Sequence, residues 1–204
     1  FSKFLINAID KIRPWPSASI CPGHGPILRT QWKKYVDLSE KYAKEALSLG
    51  EKPMVFIPYV SAYHNTSAVA EAIAKGVSEV PGVHVEIHDI ENMSLEHMEY
   101  YLSNCTGLLI GSPTINQNIL MPVYQLFAAI NPLRDKGKLA SSFGSYGWSG
   151  EAEKMLETNI TNLKLKYYGE SLYIKFTPHE EGISKGIAFG KAFAEQMLKE
   201  LAAE

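Results

Sequence analysis

Apolar runs and amphipathic stretches alternate along the chain from Lys52 to its C-terminus. Five runs predict β-strands: PMVFIPYV and GLLIGSP are apolar, VHVEIHDI alternates, and KLASSFGS and LYIKF follow. Apolar residues recur every three or four positions over 65–79, 94–103, 121–130, 150–160 and 182–201, which predicts five helices. The alternation predicts a doubly wound α/β domain of three layers, in which helices cover both faces of a five-stranded parallel sheet of order 2-1-3-4-5.

Two details of this pattern carry further expectations. Pro58 lacks the N–H that a central strand donates, so it should lie at the strand end or at a bulge. Gly182, Gly186 and Gly190 recur every four residues in the last helix, where each costs about 1 kcal/mol relative to Ala. This spacing predicts a close approach of that helix to the sheet.

The first 50 residues follow a different pattern. A helix should end before Pro14, SASIC at 17–21 can form one short strand, and a second helix should run from Trp32 to a stop at Gly50. These pieces cannot bury a core of their own. We therefore divide the chain into an N-terminal appendage, 1–50, and a domain, 51–204; the absence of an initial Met indicates a piece of something longer.

Composition excludes several classes of function. Apolar residues make up 46% and the formal net charge is −2, which argues against a nucleic-acid partner. No run reaches the roughly 20 apolar residues that span a bilayer. Cys21 and Cys105 show no CxxC spacing, so neither a disulfide framework nor a cysteine metal site is indicated, and a cytoplasmic location is expected.

Three loops should meet at the carboxyl edge of the sheet, where ligands of such folds bind. They are SAYHNT (61–66), SPTINQN (112–118) and SYGWSG (145–150). The first places hydroxyl, amide and backbone N–H donors at a helix start, which can hold a phosphate monoester without Lys or Arg; an ordinary helix cap is the alternative. GxxxxGK[ST] and GxGxxG are both absent, so nucleoside triphosphate and dinucleotide fingerprints are missing.

The other two loops favour a planar ligand. Tyr146 and Trp148 flank Gly147, and both rings should be exposed at the upper edge of the sheet. The alternative is that Trp148 merely covers that edge. Pro113, Thr114 and Asn116 would line the opposite side.

Together these motifs resemble the FMN-contacting loops of flavodoxin-like domains. SAYHNT, GSPTINQNILMPV and FGSYGWSGEAEK more narrowly resemble the C-terminal flavodoxin-like domain of flavodiiron (A-type) proteins. In that family it follows a metallo-β-lactamase-like domain, whose diiron site reduces oxygen or nitric oxide and whose last iron ligand is a histidine in a Pro-Gly-His-Gly-Pro loop. CPGHGP at 21–26 looks like the tail of that domain, and His24 matches the ligand.

The resemblance implies a set of cofactor-binding residues. They are Ser61, Tyr63, His64, Asn65, Thr66, Pro113, Thr114, Ile115, Asn116, Asn118, Ser145, Tyr146, Gly147, Trp148 and Gly150. The first loop would hold the phosphate, and Trp148 and Tyr146 would stack on the flavin ring. Asn116 or Asn118 tolerates positive φ and could change a backbone hydrogen bond to the flavin.

His64 departs from the family pattern, because such loops usually have Gly at this position. The turn should carry strain or a different geometry. If the imidazole faces the phosphate, its protonation is favoured and flavin affinity depends on pH.

The iron site is a larger departure. The family motif H-x-E-x-D-H is absent, and His24 alone cannot bind two irons. His84 and His88 share a strand face with Glu86 that looks exposed to solvent, which makes a metal role improbable; His97 and His179 look like surface residues. No diiron centre is expected, and this chain alone should not reduce oxygen or nitric oxide.

The sequence thus predicts an FMN electron-transfer module. The family resemblance implies a donor such as rubredoxin or a flavin/NADH reductase, and a diiron acceptor reached across a head-to-tail homodimer. A flavodoxin-like NAD(P)H:quinone reductase is the alternative, but it leaves CPGHGP unexplained. A signalling receiver domain needs acidic residues at strand ends that here read Tyr59–Ser61 and Gly111–Ser112.

Overall fold

The computed structural model describes residues 2–48 and 52–203. The chain forms two compact units, Phe1–Glu51 and Lys52–Glu204. The interpretation of the first unit as part of a metal-binding domain stays a prediction.

The first unit contains two helices, α1 (Ser2–Ile12) and α2 (Trp32–Ser48). The predicted end of α1 before Pro14 is confirmed, whereas the predicted stop at Gly50 lies outside the described residues. Arg13 pairs with Asp37 at 2.8 Å and with Glu40, linking the end of α1 to α2.

The SASIC strand prediction was wrong. Ile20 pairs with Leu28 in a single antiparallel bridge, closed by two N–H···O bonds of 2.9 Å. The loop between them contains two prolines, which restrict the backbone, and two glycines, which free it: Pro22, Gly23, Gly25 and Pro26. The pairing does not extend into a ladder.

The second unit alternates strands and helices as predicted. The strands are β1 (Met54–Tyr59), β2 (His84–Asp89), β3 (Gly107–Gly111), β4 (Leu139–Tyr146), β5 (Lys166–Tyr167) and β6 (Leu172–Lys175). The helices are α3 (Asn65–Ser78), α4 (Leu95–Asn104), α5 (Met121–Ala129), α6 (Glu151–Asn162) and α7 (Glu180–Leu201).

The sheet is parallel and has the order β2-β1-β3-β4-β5, which confirms the predicted topology. The fifth strand is interrupted, because β6 also pairs with β4. Between the two segments, Tyr168 N still donates to Ala140 O at 2.9 Å, whereas Glu170 and Ser171 meet Ser141 and Ser142 of β4. The hydroxyls of these serines donate to Glu170 O and to Ser171 Oγ, so side-chain hydrogen bonds replace the ladder there.

Helices cover both faces of the sheet. The core of one face includes buried residues of α4, α5 and α6, and that of the other includes buried residues of α3 and α7. Phe56 of β1 belongs to the first core and its neighbour Ile57 to the second. The central strands are therefore apolar on both sides, which explains their continuous hydrophobic runs.

Two of the three α7 glycines bring two helices together, whereas the third, Gly182, lies against Ile174 of β6 in the sheet, as predicted. A Cβ on Gly190 would lie 2.1 Å from the carbonyl oxygen of Ile73 in α3, and one on Gly186 would lie 2.8 Å from Ala72 Cβ. In the same contact, a Cβ on Gly76 of α3 would lie 1.9 Å from the carbonyl oxygen of Ile187 in α7. The predicted close approach is correct, but for Gly186 and Gly190 its predicted partner was wrong. Only hydrogen fits at these crossing points.

Pro58 lies next to last in β1 and forms no bulge. The β1–β2 ladder continues through the Pro58–His88 pair, whereas the β1–β3 register skips Ile57 and Pro58. The missing donor is thus accommodated near the strand end by an interruption on the β3 side.

Candidate functional site

A cavity of about 230 Å³ lies at the carboxyl edge of the sheet. It is lined by Ser61, Ala62, Tyr63, Asn65, Thr66, Pro113, Thr114, Ile115, Ser145, Tyr146, Gly147 and Phe176. Because β1, β3 and β4 are neighbours in a parallel sheet, the three loops that follow them converge here as the sequence predicts. We call this space the first cavity.

The loop after β1 supplies hydrogen-bond donors at the start of α3. Ser61 Oγ accepts from Ser67 N at 3.2 Å, which leaves its own O–H free to donate into the cavity. The N–H groups of Asn65 and Thr66 have no acceptor among the described residues. Unpaired N–H groups and the helix dipole favour an anion at this position.

His64 immediately precedes α3 with φ 63°, in the left-handed region. The expected unusual backbone at this non-glycine position is therefore present. The imidazole is exposed and does not line the first cavity, and Ser67 Oγ donates to the His64 carbonyl at 2.8 Å. His64 contributes the shape of the turn.

Ser145 joins the three loops at the base of the cavity. Its hydroxyl bonds to that of Thr66 over 2.9 Å, and both residues are buried. Its carbonyl accepts from Thr114 N at 3.0 Å, and Thr114 Oγ1 in turn accepts from Ala152 N at the start of α6. Two of the predicted ligands, Thr66 and Thr114, thus use their hydroxyls to assemble the site.

The loop after β3 contains a tight turn. Ile115 and Asn118 exchange two backbone hydrogen bonds of 3.0 Å, and the residues between them, Asn116 and Gln117, have φ 53° and 57°. Two successive positive φ values identify a type I′ turn. Of the two alternatives, Asn116 and Asn118, it is Asn116 that has the positive φ, while Asn118 Oδ1 accepts from Tyr124 OH at 2.7 Å. Neither asparagine lines the first cavity.

Tyr146 of the loop after β4 lines two cavities. Tyr146 and Gly147 line the first cavity, and Tyr146 also borders a second cavity of about 470 Å³, together with Trp148 and Gly150. Trp148 is 92% exposed, as the sequence predicts for this residue. The predicted stacking pair therefore meets at the second cavity, and Trp148 does not line the first.

The second cavity differs from the first in charge. It contains the Glu153 carboxylate and the Tyr173 hydroxyl, whose pKa burial raises well above its usual range. In the described part of the chain, no Lys or Arg borders either cavity. An anionic group is accordingly favoured in the first cavity, by the α3 donors, and disfavoured in the second, by Glu153.

Sequence reasoning missed Phe176, which lines the first cavity directly after β6. Its φ is 60°, its ring is 55% exposed, and its N–H donates to Tyr146 O at 2.7 Å. The missed signal was the carboxyl end of the last strand, which reaches the same edge of the sheet as the other three loops.

The histidines do not form a metal centre with the residues described. Across 2–48 and 52–203, no group of three or more His, Cys, Asp or Glu side chains could hold a metal ion, and His24 is exposed in its loop. His84 and His88 both bond to Glu86, over 2.8 and 3.0 Å. His88 is half-buried 4.4 Å from the Tyr101 ring, so the prediction of an exposed face was wrong for this residue.

None of the described helices is both long and apolar enough to cross a bilayer.

Comparison with known proteins places the chain among flavoproteins. The family model described as "Flavodoxin" matches residues 57–190. The type A flavoprotein fprA of Rhodobacter capsulatus is 34% identical over 97% of this chain and 46% of its own length. The flavo-diiron protein FprA2 of Clostridium acetobutylicum is 32% identical over 97% of this chain and 50% of its own length. The chain spans about half the length of these curated relatives.

Solved structures agree with this grouping. The rubredoxin oxygen:oxidoreductase of Desulfovibrio gigas is 26% identical, with a TM-score of 0.74 over 98% of this chain and 50% of that one. A flavodoxin from the domain Archaea is also 26% identical, with a TM-score of 0.61 over 71% of this chain and 98% of the flavodoxin.

Proposed function

Because this chain belongs to the flavodoxin family and is homologous to the C-terminal region of flavodiiron proteins, we propose that it binds FMN and transfers electrons. The FMN would bind at the first cavity. The observation that carries the proposal is a donor-rich, cation-free cradle at the start of α3, next to an aromatic and backbone-lined space.

The residues present fit this cofactor. A phosphate monoester would accept hydrogen bonds from the N–H groups of Asn65 and Thr66 and from the Ser61 hydroxyl, aided by the α3 dipole. The loop at 113–115 and the Tyr146–Gly147 segment would flank the flavin ring. When bound, FMN supplies electron transfer in single-electron steps, which no side chain of this chain provides.

The protein's part is to bind and orient the cofactor. The Thr66–Ser145 bond fixes the phosphate loop relative to the ring loop, so both ends of the cofactor meet a single preformed surface. The turn at Asn116 and Gln117 holds two residues at positive φ, and a change in this turn would alter which backbone group faces the ring.

The name of a relative supports a choice of redox partners to test. One structural relative is named for rubredoxin and oxygen, so a rubredoxin-class donor is the first to test, followed by a flavin/NADH reductase. The acceptor would be a diiron centre in a longer protein, in which His24 would be a ligand, reached across a homodimer. Without such a centre, this chain would not reduce oxygen or nitric oxide.

The test is a titration of the apoprotein with FMN and, separately, with riboflavin, which lacks the phosphate. Quenching of the flavin fluorescence is the measure of binding. Saturable FMN binding is expected. Ser61→Ala should weaken FMN binding about ten- to hundredfold, the loss of one hydrogen bond to a charged group, and should leave riboflavin unchanged. Failure of the wild-type protein to bind FMN would overturn the proposal. Sustained NADH oxidation with a quinone would indicate a quinone reductase instead.

A further inference from the structure

We propose that Phe176 is a flavin-contacting residue, forming the wall of the first cavity beside Gly147. The inference rests on the proposed function in one respect, namely that the ligand is a flavin. It assigns the ring contact to the end of β6, outside the three loops that sequence patterns single out.

The position of Phe176 is fixed by the backbone. Its N–H donates to Tyr146 O at 2.7 Å, which continues the β4–β6 ladder by one hydrogen bond up to the edge of the cavity. A Cβ on Gly147 would lie 3.3 Å from the Phe176 ring, so the ring rests directly against the Gly147 backbone. The ring is thus held between the loop after β4 and the cavity.

The conformation of Phe176 is unusual for a residue that only ends a strand. Leu172 and Ile174, which share its side of β6, pack into the α3–α7 core, yet the Phe176 ring is 55% exposed. Its φ of 60° is one that glycine adopts without cost and an aromatic residue rarely adopts. Such outliers persist where the surrounding structure demands them, most often at binding sites.

Phe176 also contacts Trp148. The two rings meet edge to face, with centroids 6.5 Å apart and an interplanar angle of 80°. Phe176 borders the first cavity and Trp148 the second, so this ring contact links the two cavities. A planar ligand against Phe176 would therefore be sensed by Trp148 through this contact.

The decisive experiment compares two ligands on matched variants. Phe176→Ala should weaken FMN and riboflavin binding by the same factor, about three- to tenfold, because an aromatic contact acts on the ring that both ligands share. Phe176→Tyr should retain wild-type affinity for both. Tyr100→Ala is the control, since Tyr100 is 52% exposed, also meets a neighbouring ring edge-on, and lies on α4 away from the site. It should change neither affinity.

A second readout needs no flavin. The emission of Trp148 in the apoprotein, obtained as the difference between the protein and its Trp148→Phe variant, should change in the Phe176→Ala background and not in the Tyr100→Ala background. Phe176→Gly should be at least as stable as Phe176→Ala, because glycine relieves the left-handed backbone, while losing the same flavin affinity.

The outcomes separate the two proposals. A wild-type protein that binds neither flavin refutes the proposed function and, with it, the ligand assigned to Phe176. A wild-type protein that binds both, with Phe176→Ala binding both equally well, overturns the inference alone. A loss confined to FMN would place Phe176 at the phosphate and would also overturn it.

Discussion

At the scale of single residues, His64 holds a backbone conformation that suits glycine. The left-handed α region costs a residue with a Cβ about 1 kcal/mol or more, and His64 has φ 63° with no side-chain capping bond. We expect His64→Gly to be about 1 kcal/mol more stable to urea than His64→Ala, because only the former removes the strain. Equal stabilities would contradict the left-handed turn.

The same variants test the predicted role of the imidazole. Since the His64 ring does not line the first cavity, any change in FMN affinity between pH 5.5 and pH 8 should be the same in the wild-type protein and in His64→Gly, because it comes from the second ionisation of the phosphate. A wild-type affinity that rises on acidification, and a His64→Gly affinity that does not, would show that the imidazole reaches the phosphate after all.

Asp135 is the clearest source of pH-dependent stability. Its buried carboxylate accepts from Arg134 at 2.7 and 2.9 Å, and Lys138 lies at 2.9 Å. Burial raises its pKa, but the hydrogen bonds from Arg134 and Lys138 outweigh burial and lower it from 3.8. A depressed folded-state pKa adds stability that is complete above the unfolded value and is lost as pH falls through the folded value.

Asp135→Asn should therefore lower the free energy of unfolding by about 3 kcal/mol at pH 7, because it leaves Arg134 and Lys138 without a buried counter-charge. The difference from wild type should shrink as pH falls below 3.8 towards the lowered folded-state pKa, where the wild-type carboxylate itself becomes protonated. Asp89→Asn is the control, as Asp89 is exposed and accepts from Glu91 N at 2.9 Å. The measurement is urea unfolding of both variants and the wild type at pH 7 and at about pH 3. An Asp135→Asn loss in the free energy of unfolding that is as large at low pH as at pH 7 would contradict the prediction.

Residue by residue, the sequence predicted part of the site. The phosphate loop and the loops after β3 and β4 were found because donors and aromatics follow apolar strands. Phe176 was missed because it reaches the first cavity from the end of β6 and contacts Trp148 across 28 positions of sequence (176 − 148), a distance that no local pattern reports.

At the scale of elements, the α3–α7 contact depends on glycine. Gly190→Ala would place a methyl group 2.1 Å from the carbonyl oxygen of Ile73, which must move with its helix. We expect a loss of at least about 2 kcal/mol in the free energy of unfolding. Gly182→Ala in the same helix is the matched control, because its nearest neighbour is a side-chain atom of Pro178 at 3.3 Å.

That control should stay within about 1 kcal/mol of wild type, since the helix propensity of alanine offsets a small displacement. Chemical denaturation of the two variants side by side provides the comparison. Equal losses at both positions would mean that α7 is destabilised by alanine in general and not by its crossing with α3.

The alternation of strands and helices could be predicted because each element buries a recognisable face. Two features could not be predicted in this way, the SASIC segment and the division of the fifth strand. SASIC has strand-like residues, but a strand also needs a partner of sufficient length, and Leu28 is the one position that pairs with it. The division of the fifth strand into β5 and β6 is set by Ser141 and Ser142 on the neighbouring strand. Both features depend on long-range partners.

At the scale of the whole molecule, the two units differ in what they contribute. All twelve residues around the first cavity fall between 61 and 176, inside the second unit. We expect residues 52–204 alone to bind FMN with a dissociation constant within about twofold of the full chain, as the site and both cores belong to that unit. Fluorescence titration of both proteins is the measurement. A fragment with native circular dichroism that fails to bind would contradict the prediction.

The arrangement of the sheet has one more consequence, which concerns its two borders. In the described part of the chain, β2 pairs with β1 alone and carries His84, Glu86 and His88 on one side, while the opposite border is broken at 168–171. Ionisable side chains and an interrupted strand both hinder the addition of a strand from another molecule. Ionisable side chains thus protect the β2 border, and the break at 168–171 protects the opposite border. We expect both features to disfavour cross-β aggregation in the described part of the chain.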